Sequence, residues 1–389
     1  MSSEDIKPEL LPDLNLPSSD HVVEVSILDT ACDIVVPAGS FLKPVLKGLE
    51  EVNLPTFSFH IRSKHLNREI LFDIGCRKDW WNLAPLGYQG ILNGIPALNT
   101  RKDIADVLAE GNVDRNNISA VILSHWHWDH CGDMTLFPKS TDLVVGPGFS
   151  EKFLPGYPKR EDSALLAADF DGRKVEEIQF DDSFKIGKYP AYDYFGDGSF
   201  YILNVPGHAI GHISALARTT PTTFVLMGGD VTHFGGAFRP TPYNPLPATI
   251  PPETKLSPTR FTLPCACSIF TACHPHSASP KIARTTPYFG PSDTPDSWYV
   301  DPPAATTSIS TLAEFDAHPD VLVCIAHDEG LIDVVDFYPK GTLNQWQEKR
   351  WKEMSNWGFL NALPIDGKPA KGWFCEGLMR DGKVWRPEA

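Results

Sequence analysis

The chain concentrates metal-binding side chains in one short stretch, SHWHWDHCGD, at residues 124–133. Four of them, His125, His127, Asp129 and His130, stand within six consecutive residues. Imidazoles and carboxylates together suit zinc best, although iron, manganese and cobalt accept the same donors. A lone histidine is usually an ordinary surface or core residue, but four ligand-type side chains this close together predict a metal site.

The elements around this stretch must hold its side chains in place. AVILS, residues 120–124, has the apolar run of a buried strand, so His125 and His127 would continue its alternation and project to one side. More candidate ligands follow later predicted strands: His208 in NVPGHAIGH, Asp230 in VLMGGDVTH and His327 in VLVCIAHDE. Side chains at strand ends can meet at one edge of a sheet, and we expect a site there.

The remaining pattern is rich in strands and predicts one large domain over residues 21–389. HVVEVSIL, FSFHIRSK and REILFDIG are predicted strands, SALART and TTFVLMGGD a hairpin, and SISTLAEFDAH a helix. TRKDIADVLAEG predicts a helix capped by Thr100 and ended by Gly111. Residues 1–20 lack periodic apolar positions and predict a flexible tail. Residues 238–305 are proline-dense and predict a lid or substrate insertion with a short helix or two.

Composition narrows the classes of partner. The 389 residues include 49 acidic and 34 basic side chains, for a formal net charge of −15, which disfavours nucleic acid and anionic membranes as partners. No secretory signal or long apolar span is visible, and the eight cysteines are too sparse for a disulfide scaffold. We expect a cytoplasmic protein with reduced cysteines, as a monomer or homodimer.

The series H-x-H-x-D-H, P-G-H, G-D and a late strand-end histidine resembles the metallo-β-lactamase superfamily, and FDIG at residues 72–75 resembles its early strand–turn element. The resemblance implies an α/β fold, a four-layer αββα sandwich with the metals at one edge. It implies a role for each matched residue: His125, His127 and His208 in a first metal site, Asp129, His130 and His327 in a second, Asp230 as a bridge, and Asp73 as buried support.

Two divalent metal ions are therefore expected, with zinc favoured and iron or manganese as alternatives. Two such ions can share a water and lower its pKa to about 7, which makes hydroxide available as a nucleophile. Asp129 would take the proton and pass it to the leaving group. We predict Asp129 as catalytic on this basis.

PGHAIGH and GGDVTH look most like the lactonase-type branch, whose members open cyclic esters and, in related cases, cyclic amides or carbamates of foreign compounds. The predicted function is hydrolysis of a small lactone or lactam, with a role in detoxification. Where acyl-homoserine-lactone lactonases place a tyrosine, this chain has His233, which we predict as a second catalytic residue. A thioesterase of the glyoxalase II or acyl-carrier kind, a mono-iron sulfur dioxygenase-like oxidoreductase and an inactive binding scaffold remain as alternatives.

Aromatic side chains near the motifs are candidates for the substrate pocket, although each alone is more often a core residue. The candidates are Trp80, Trp81, Trp126, Trp128, Phe234, Phe238, Tyr243 and Tyr288. Cys265, Cys267 and Cys273, followed by His274 and His276, offer donors for a further zinc ion. Their spacing matches no familiar structural zinc pattern, so buried reduced cysteines are the favoured interpretation.

Overall fold

The computed structural model describes residues 4–386 and contains two large β-sheets. The strands are, in chain order, β1 (Glu24–Pro37), β2 (Leu42–Lys43), β3 (Glu51–Ser63), β4 (Arg68–Phe72), β5 (Ala97–Thr100), β6 (Ile118–Ile122), β7 (Asp142–Val145), β8 (Val175–Glu177), β9 (Lys185–Ile186), β10 (Tyr189–Asp193), β11 (Phe200–Asn204), β12 (Ile213–Arg218), β13 (Phe224–Met227), β14 (Thr249–Ile250), β15 (Cys265–Ala266), β16 (Gly290–Pro291), β17 (Val321–Cys324), β18 (Leu378–Arg380) and β19 (Lys383–Trp385).

Helices lie in some of the connections between these strands, and the longest is late in the chain. They are α1 (Pro85–Gly94), α2 (Ile104–Glu110), α3 (Trp128–Cys131), α4 (Phe149–Phe153), α5 (Ala167–Phe170), α6 (Ser268–Thr271), α7 (Pro280–Ala283), α8 (Pro302–Ala317) and α9 (Trp351–Ser355). Within residues 4–386, no helix combines the length and apolarity needed to cross a bilayer.

The first sheet has the strand order β19-β18-β5-β1-β3-β4-β6-β7-β8, and the second has the order β17-β13-β12-β11-β10-β9. The strands β4, β6, β7 and β8 run parallel to one another, whereas β3 and β4 pair antiparallel. The predicted hairpin forms as β12 and β13, which pair antiparallel. The late strand β17 pairs parallel with β13, so the chain returns to the second sheet after the proline-rich insertion.

The two sheets pack face to face, and helices cover their outer faces. Between the sheets, buried Ile27 and Phe59 belong to the same apolar cluster as Phe200 and Val225. On the outside, α2 belongs to a cluster with β6 and β7, and α8 to a cluster with β12, β13 and β17. This arrangement confirms the four-layer αββα sandwich.

The helix predicted over residues 100–111 starts later in the structure than the sequence pattern suggested. Thr100 ends β5, which pairs with β1, so it is not available as a helix cap. Instead Asp103 caps α2 in a capping box with Asp106, and Gly111 follows the last turn as expected. Tertiary pairing of β5 therefore moved the start of the helix.

The insertion at residues 238–305 contains the short helices α6 and α7 and ends as α8 begins at Pro302. It packs in a cluster with the first sheet: Tyr288 and Phe289 share that cluster with Ile34 and Leu98. Its strand β16 pairs with β2, which ties the insertion to the segment that follows β1. The insertion is thus continuous with the body of the domain.

Residues 4–20, expected to form a flexible tail, contain neither helix nor strand but are held along the protein surface. Leu14 is 1% exposed, and its carbonyl accepts a hydrogen bond from the Gly187 amide. The Arg218 guanidinium donates to the carbonyl of Pro17, and the Asp5 carboxylate accepts from the Ala248 amide. We call residues 4–20 the N-terminal strap.

Candidate metal centre

The candidate ligands follow strands that end at one edge of the sandwich. Asp73 follows β4, and the first histidine cluster follows β6, which runs parallel to β4. His208 follows β11, Asp230 follows β13 and His327 follows β17. β11 and β13 are both antiparallel to β12, and β17 is parallel to β13, so these three strands point in the same direction. Their carboxyl ends therefore bring the ligands together.

The first cluster contains His125, His127, His208 and Asp230. His127 Nδ1 lies 2.8 Å from His125 Nε2 and 2.9 Å from His208 Nε2, and the two Nε2 atoms are 3.2 Å apart. Asp230 Oδ2 is 3.5 Å from His208 Nε2 and 3.7 Å from His125 Nε2. These donors face a common point.

The second cluster contains Asp129, His130, Asp230 and His327, and it shares Asp230 with the first. Asp230 Oδ1 lies 3.1 Å from both His130 Nε2 and His327 Nε2. Asp129 Oδ2 is 3.7 Å from His130 Nε2 and 3.6 Å from His327 Nε2. Because each oxygen of Asp230 faces a different cluster, this carboxylate is placed to bridge two ions.

The residues present fit a pair of divalent cations. Ligands of a tetrahedral ion with bonds of about 2.0–2.1 Å stand roughly 3.3 Å apart, close to the spacings in both clusters. His130 Nε2, His327 Nε2 and Asp230 Oδ1 are buried and lack a hydrogen bond of acceptable geometry. Buried polar atoms are almost always satisfied, and cations at these points would satisfy all three.

Protonation also favours metal binding. Burial lowers the pKa of His127 to about 3 and holds the pKa of His125 and His208 well below its usual value. Neutral imidazole is the form that binds metal. Burial opposes ionisation of Asp230, but His130 and His327 hold the pKa of its carboxyl well below the usual range. The first cluster thus offers neutral nitrogens and an ionised bridge. At the second cluster burial opposes protonation, but Asp230 outweighs it and raises the pKa of His130 and His327, so a metal ion would displace protons there.

Buried partners orient several ligands. Asp73 Oδ1 accepts from the Ser124 amide at 2.6 Å, and Asp73 Oδ2 lies 2.9 Å from His130 Nδ1. Because a carboxylate only accepts, this contact puts the proton on Nδ1 and leaves Nε2 of His130 free as a ligand. His327 Nδ1 contacts the Pro55 carbonyl at 2.7 Å in the same way. Asp73 is 2% exposed and lies where its supporting role requires.

Asp230 has its own support, which the sequence reasoning did not identify. The Asp230 amide donates to His212 Nε2 at 3.0 Å, and His212 Nδ1 contacts the Val205 carbonyl at 2.8 Å. Gly229 before it has φ +53°, and a Cβ there would come within 2.8 Å of Ser124. The second histidine of PGHAIGH was the available signal for His212.

His233 lies beside the bridge, with both ring nitrogens engaged. Its Nε2 is 3.0 Å from Asp230 Oδ2, and its Nδ1 is 3.3 Å from the Tyr299 hydroxyl. The carboxylate only accepts, so Nε2 carries the proton and Nδ1 accepts from Tyr299. Phe41 packs on the imidazole with ring centroids 3.8 Å apart. This geometry places His233 to orient Asp230, and its role as a second catalytic residue stays a prediction.

Comparison with known proteins agrees with this geometry. A family model described as metallo-beta-lactamase superfamily matches residues 54–242. Gamma-lactamase FDB1 of Fusarium pseudograminearum (strain CS3096) is 41% identical over 92% of this chain and 86% of its own length. The chain belongs to the metallo-β-lactamase superfamily. Metallo-hydrolase mfmC of Annulohypoxylon moriforme is 36% identical over 91% of both chains.

The fold of this metallo-β-lactamase superfamily member is also found in solved structures. A mutant of AiiA from B. thuringiensis, with N-decanoyl-L-homoserine bound at its active site, superposes with a TM-score of 0.53 at 16% identity. The match covers 82% of this chain and 99% of the AiiA chain. At that identity the likeness shows the fold alone.

A small, mainly apolar cavity adjoins both clusters. About 10 Å³ of it admits the centre of a water-sized sphere, which is room for about one water molecule. Beside five polar residues of the centre, its lining consists of Ile34, Val36, Phe41, Leu54, Ile95, Trp128 and Trp298. Trp128 is therefore the one predicted pocket aromatic in this lining.

The other predicted pocket aromatics lie elsewhere. Trp126 packs on Phe153 at 4.9 Å in the outer helical layer, so it braces the strand end instead of lining the cavity. Trp80 is fully buried and its indole donates to the Met379 carbonyl, while Trp81 packs under Arg380. The expectation that these three tryptophans line the cavity at the metal centre is therefore corrected, because their side chains pack elsewhere in the fold.

The remaining four predicted pocket aromatics line two other depressions. Phe234 borders a cavity of about 250 Å³ with Val52 and Lys371. Phe238, Tyr243 and Tyr288 line a groove of about 500 Å³. None of the four belongs to the cavity at the metal centre. Proximity in sequence to Asp230 did not place them at the site.

Sequence reasoning missed Phe41 and Trp298, whose rings lie 5.4 Å apart over the metal centre. The Trp298 amide donates to the Ser40 carbonyl, and the Ser292 amide donates to the Phe41 carbonyl, so the two segments hold each other. We call Phe41 and Trp298 the aromatic cover. No sequence signal marked them, since 256 residues of chain fall between the two positions.

The cysteine-rich stretch does not gather a metal-ligand set in the described part of the chain. Cys265 lies in β15, Cys267 is buried, and Cys273 Sγ contacts the Phe270 carbonyl at 3.2 Å. Burial raises the pKa of Cys273 to about 11, which keeps this thiol protonated. The groups of three or more ligand side chains that do meet within residues 4–386 are elsewhere.

Proposed function

We propose that the chain is a dinuclear-metal hydrolase, with zinc as the expected metal, that opens a small cyclic ester or a cyclic amide or carbamate. The observation that carries the proposal is the pair of clusters that share Asp230 beside a small, mainly apolar cavity. The relative from F. pseudograminearum is named a gamma-lactamase, which supports a lactam ring among the substrates. Histidine-rich donor sets with carboxylates support zinc.

Two divalent ions would supply Lewis acidity to the ring carbonyl and to a water molecule. The protein contributes the rest of the machinery. Asp129 Oδ2 faces the second cluster, where the carboxylate can accept a proton and deliver it to the leaving group. His233 and Tyr299 fix the orientation of Asp230, and the aromatic cover excludes bulk water.

The lining of the cavity indicates a neutral substrate. It contains apolar side chains, histidines and aspartates, and within the described residues neither lysine nor arginine contributes to it. Away from the metal ions, an anionic group of the substrate would meet no cationic side chain in this lining, which opposes its burial. This disfavours substrates that carry an anionic group away from the reacting bond, such as thioesters on anionic carriers. A mono-iron oxidoreductase would leave the second cluster without a role.

The test is a panel of neutral lactones, lactams and cyclic carbamates, each paired with a carboxylated analogue, and thioesters and phosphodiesters as further members. We expect ring opening of a neutral cyclic substrate by metal-loaded protein, loss of activity after chelation, and recovery with zinc. His208→Ala serves as the site control and should be inactive. Turnover of thioesters alone, or activity that survives chelation, would contradict the proposal.

Other features of the proposal stay predictions. They are a role in detoxification, a cytoplasmic location, a monomeric or homodimeric state, and the absence of nucleic acid and membrane partners. The formal net charge of −15 supports the last of these.

A further inference from the structure

A third group of metal-ligand side chains lies outside the dinuclear centre. It consists of His21, His65 and Asp197, whose ligand atoms all lie within 4.8 Å of one another. His65 stands in the turn before β4 and Asp197 in the loop before β11, whereas Asp73 and His208 follow the far ends of those strands. The group is therefore at the opposite edge of the sandwich from the dinuclear centre.

One carboxylate oxygen of Asp197 accepts hydrogen bonds, and the other has no hydrogen-bond partner among the described residues. Oδ1 accepts from the Ser199 amide at 2.9 Å and from the Ser199 hydroxyl at 2.6 Å. Oδ2 is buried and has no hydrogen-bond partner. A buried carboxylate oxygen without a partner is costly, so a donor or a cation is expected beside it.

A ligand nitrogen of each imidazole lies within 4.8 Å of a carboxylate oxygen of Asp197, but neither imidazole forms a direct ion pair with Asp197 among the described residues. Their rings stack with centroids 4.2 Å apart and an interplanar angle of 21°. Ligands of one tetrahedral ion stand roughly 3.3 Å apart, so a bound ion would draw these ligand atoms closer together than the 4.8 Å within which they lie. A cation between the three groups would satisfy Oδ2 and use both imidazoles.

The backbone that carries these residues is held in place. Arg218 is 1% exposed and donates to the carbonyls of Gly198 and Pro17, which fixes the Asp197 loop and the end of the N-terminal strap together. The Ser19 hydroxyl donates to the Asp197 carbonyl at 2.7 Å. Lys64, the neighbour of His65, pairs with Glu24, which partly neutralises the charge nearest the group.

We propose that His21, His65 and Asp197 form a third metal site, for a divalent transition metal such as zinc. Two imidazoles and a carboxylate match the donors that zinc and copper take in proteins, with solvent completing the coordination at this exposed position. Bound metal would link the end of the N-terminal strap to the turn before β4 and the loop before β11. It would therefore stabilise the folded chain in a zinc-dependent way.

The first test measures zinc content by equilibrium dialysis of the metal-loaded protein against micromolar zinc chloride. His65→Ala and Asp197→Asn should each bind one equivalent less than the wild type, and lactone hydrolysis should be unchanged in His65→Ala. His276→Ala removes another exposed histidine and should match the wild type. Because the result is a difference between proteins, it does not depend on how many ions the dinuclear centre holds.

The second test locates the site by residue. Acylation of histidines with diethyl pyrocarbonate, read by mass spectrometry, should be slowed by zinc at His21 and His65 but not at His276. Agreement of both tests supports the third site. Equal zinc content in all four proteins, or acylation of His21 and His65 that zinc does not slow, would overturn it.

Discussion

At the scale of single residues, chemistry in this protein depends on which nitrogen of each histidine carries the proton. Asp73 accepts a hydrogen bond from Nδ1 of His130, and the Pro55 carbonyl accepts one from Nδ1 of His327. This leaves the Nε2 atoms of both histidines free to bind metal. The Asp230 carboxylate and the Tyr299 hydroxyl fix His233 in the same manner. The ligands are therefore oriented before any ion binds.

The contact between His233 and Asp230 gives a first prediction. His233→Phe keeps a flat ring against Phe41 but removes the hydrogen bond to the bridging carboxylate, so we expect weaker metal retention as well as lower turnover. Loss of such a supporting partner typically costs about 10–100-fold in metal affinity or activity. Competition with a chromogenic chelator and steady-state kinetics measure the two effects.

Tyr299→Phe is the milder companion of that variant. It leaves His233 in place with Nδ1 unpaired and should shift both quantities in the same direction by less. Wild-type metal retention in both variants would mean that His233 packs beside the centre without positioning Asp230.

At the scale of elements, separate parts of the chain build the cavity wall. β1 supplies Ile34 and Val36, β3 supplies Leu54, and the end of the insertion supplies Trp298. Two contacts hold the aromatic cover over the centre. β2 pairs with β16, and the Trp298 amide donates a hydrogen bond to the Ser40 carbonyl. These two segments therefore form one wall of the cavity at the metal centre.

Trp298→Ala should open the cover while leaving every proposed metal ligand in place. We expect unchanged metal content, lower kcat/KM for a small ring by about tenfold, and a smaller penalty for bulkier rings, because apolar contact to the substrate is lost and space is gained. Trp373→Ala removes an aromatic side chain that is 49% exposed and should behave like the wild type. Identical substrate preference in both variants would contradict the cover.

The packing of α5 gives a prediction on pH. Burial raises the pKa of Asp169 to about 7, while its Oδ1 accepts from the Met134 amide at 3.2 Å. In the unfolded chain the pKa is about 3.9, so the folded state holds more protons between these values and stability falls as pH rises through this window. Above it, the cost reaches at most about 4 kcal/mol.

Asp169→Asn keeps an oxygen for the Met134 amide and removes the ionisation. Its free energy of unfolding in urea should therefore rise relative to the wild type between about pH 5 and about pH 8. Asp171→Asn, at the exposed end of the same helix, should show no rise of this kind. A difference between Asp169→Asn and wild type that stays constant with pH would contradict the buried ionisation.

Local motifs made the metal centre predictable, and long-range pairing limited the rest. His125 to His130 could be read from consecutive residues at a strand end, and the strand-end positions of Asp230 and His327 reinforced them. Phe41 and Trp298 meet only because β2 pairs with β16, which no local pattern encodes. Thr100 was mistaken for a helix cap for the same reason, since β5 pairs with β1.

At the scale of the whole molecule, the N-terminal strap joins the outer face of the second sheet. Leu14 belongs to the cluster that contains Tyr189, Leu216 and Phe315. The sequence of the strap shows no periodicity because its contacts are made one by one with distant segments. The N-terminal strap is therefore held in place by its contacts with the rest of the domain and not by local structure of its own.

Leu14→Ala should lower the free energy of unfolding by about 2–5 kcal/mol, since it leaves a cavity at a buried position. Leu10→Ala offers a matched control in the same strap, because Leu10 is 95% exposed and its loss should cost less than about 0.5 kcal/mol. Urea unfolding of the two variants makes the comparison. Equal midpoints would mean that the strap is not packed in solution.

The central claim is that one carboxylate joins two metal ions in a hydrolytic site. It is tested most directly by elemental analysis of wild type and Asp230→Ala, with ring-opening activity measured on the same samples. A variant with both His125→Ala and His130→Ala gives the metal content without the dinuclear centre. We predict that the wild type holds two more equivalents of metal than this variant. In Asp230→Ala we predict less metal at both clusters and loss of activity. Full metal content and full turnover in Asp230→Ala would contradict the account.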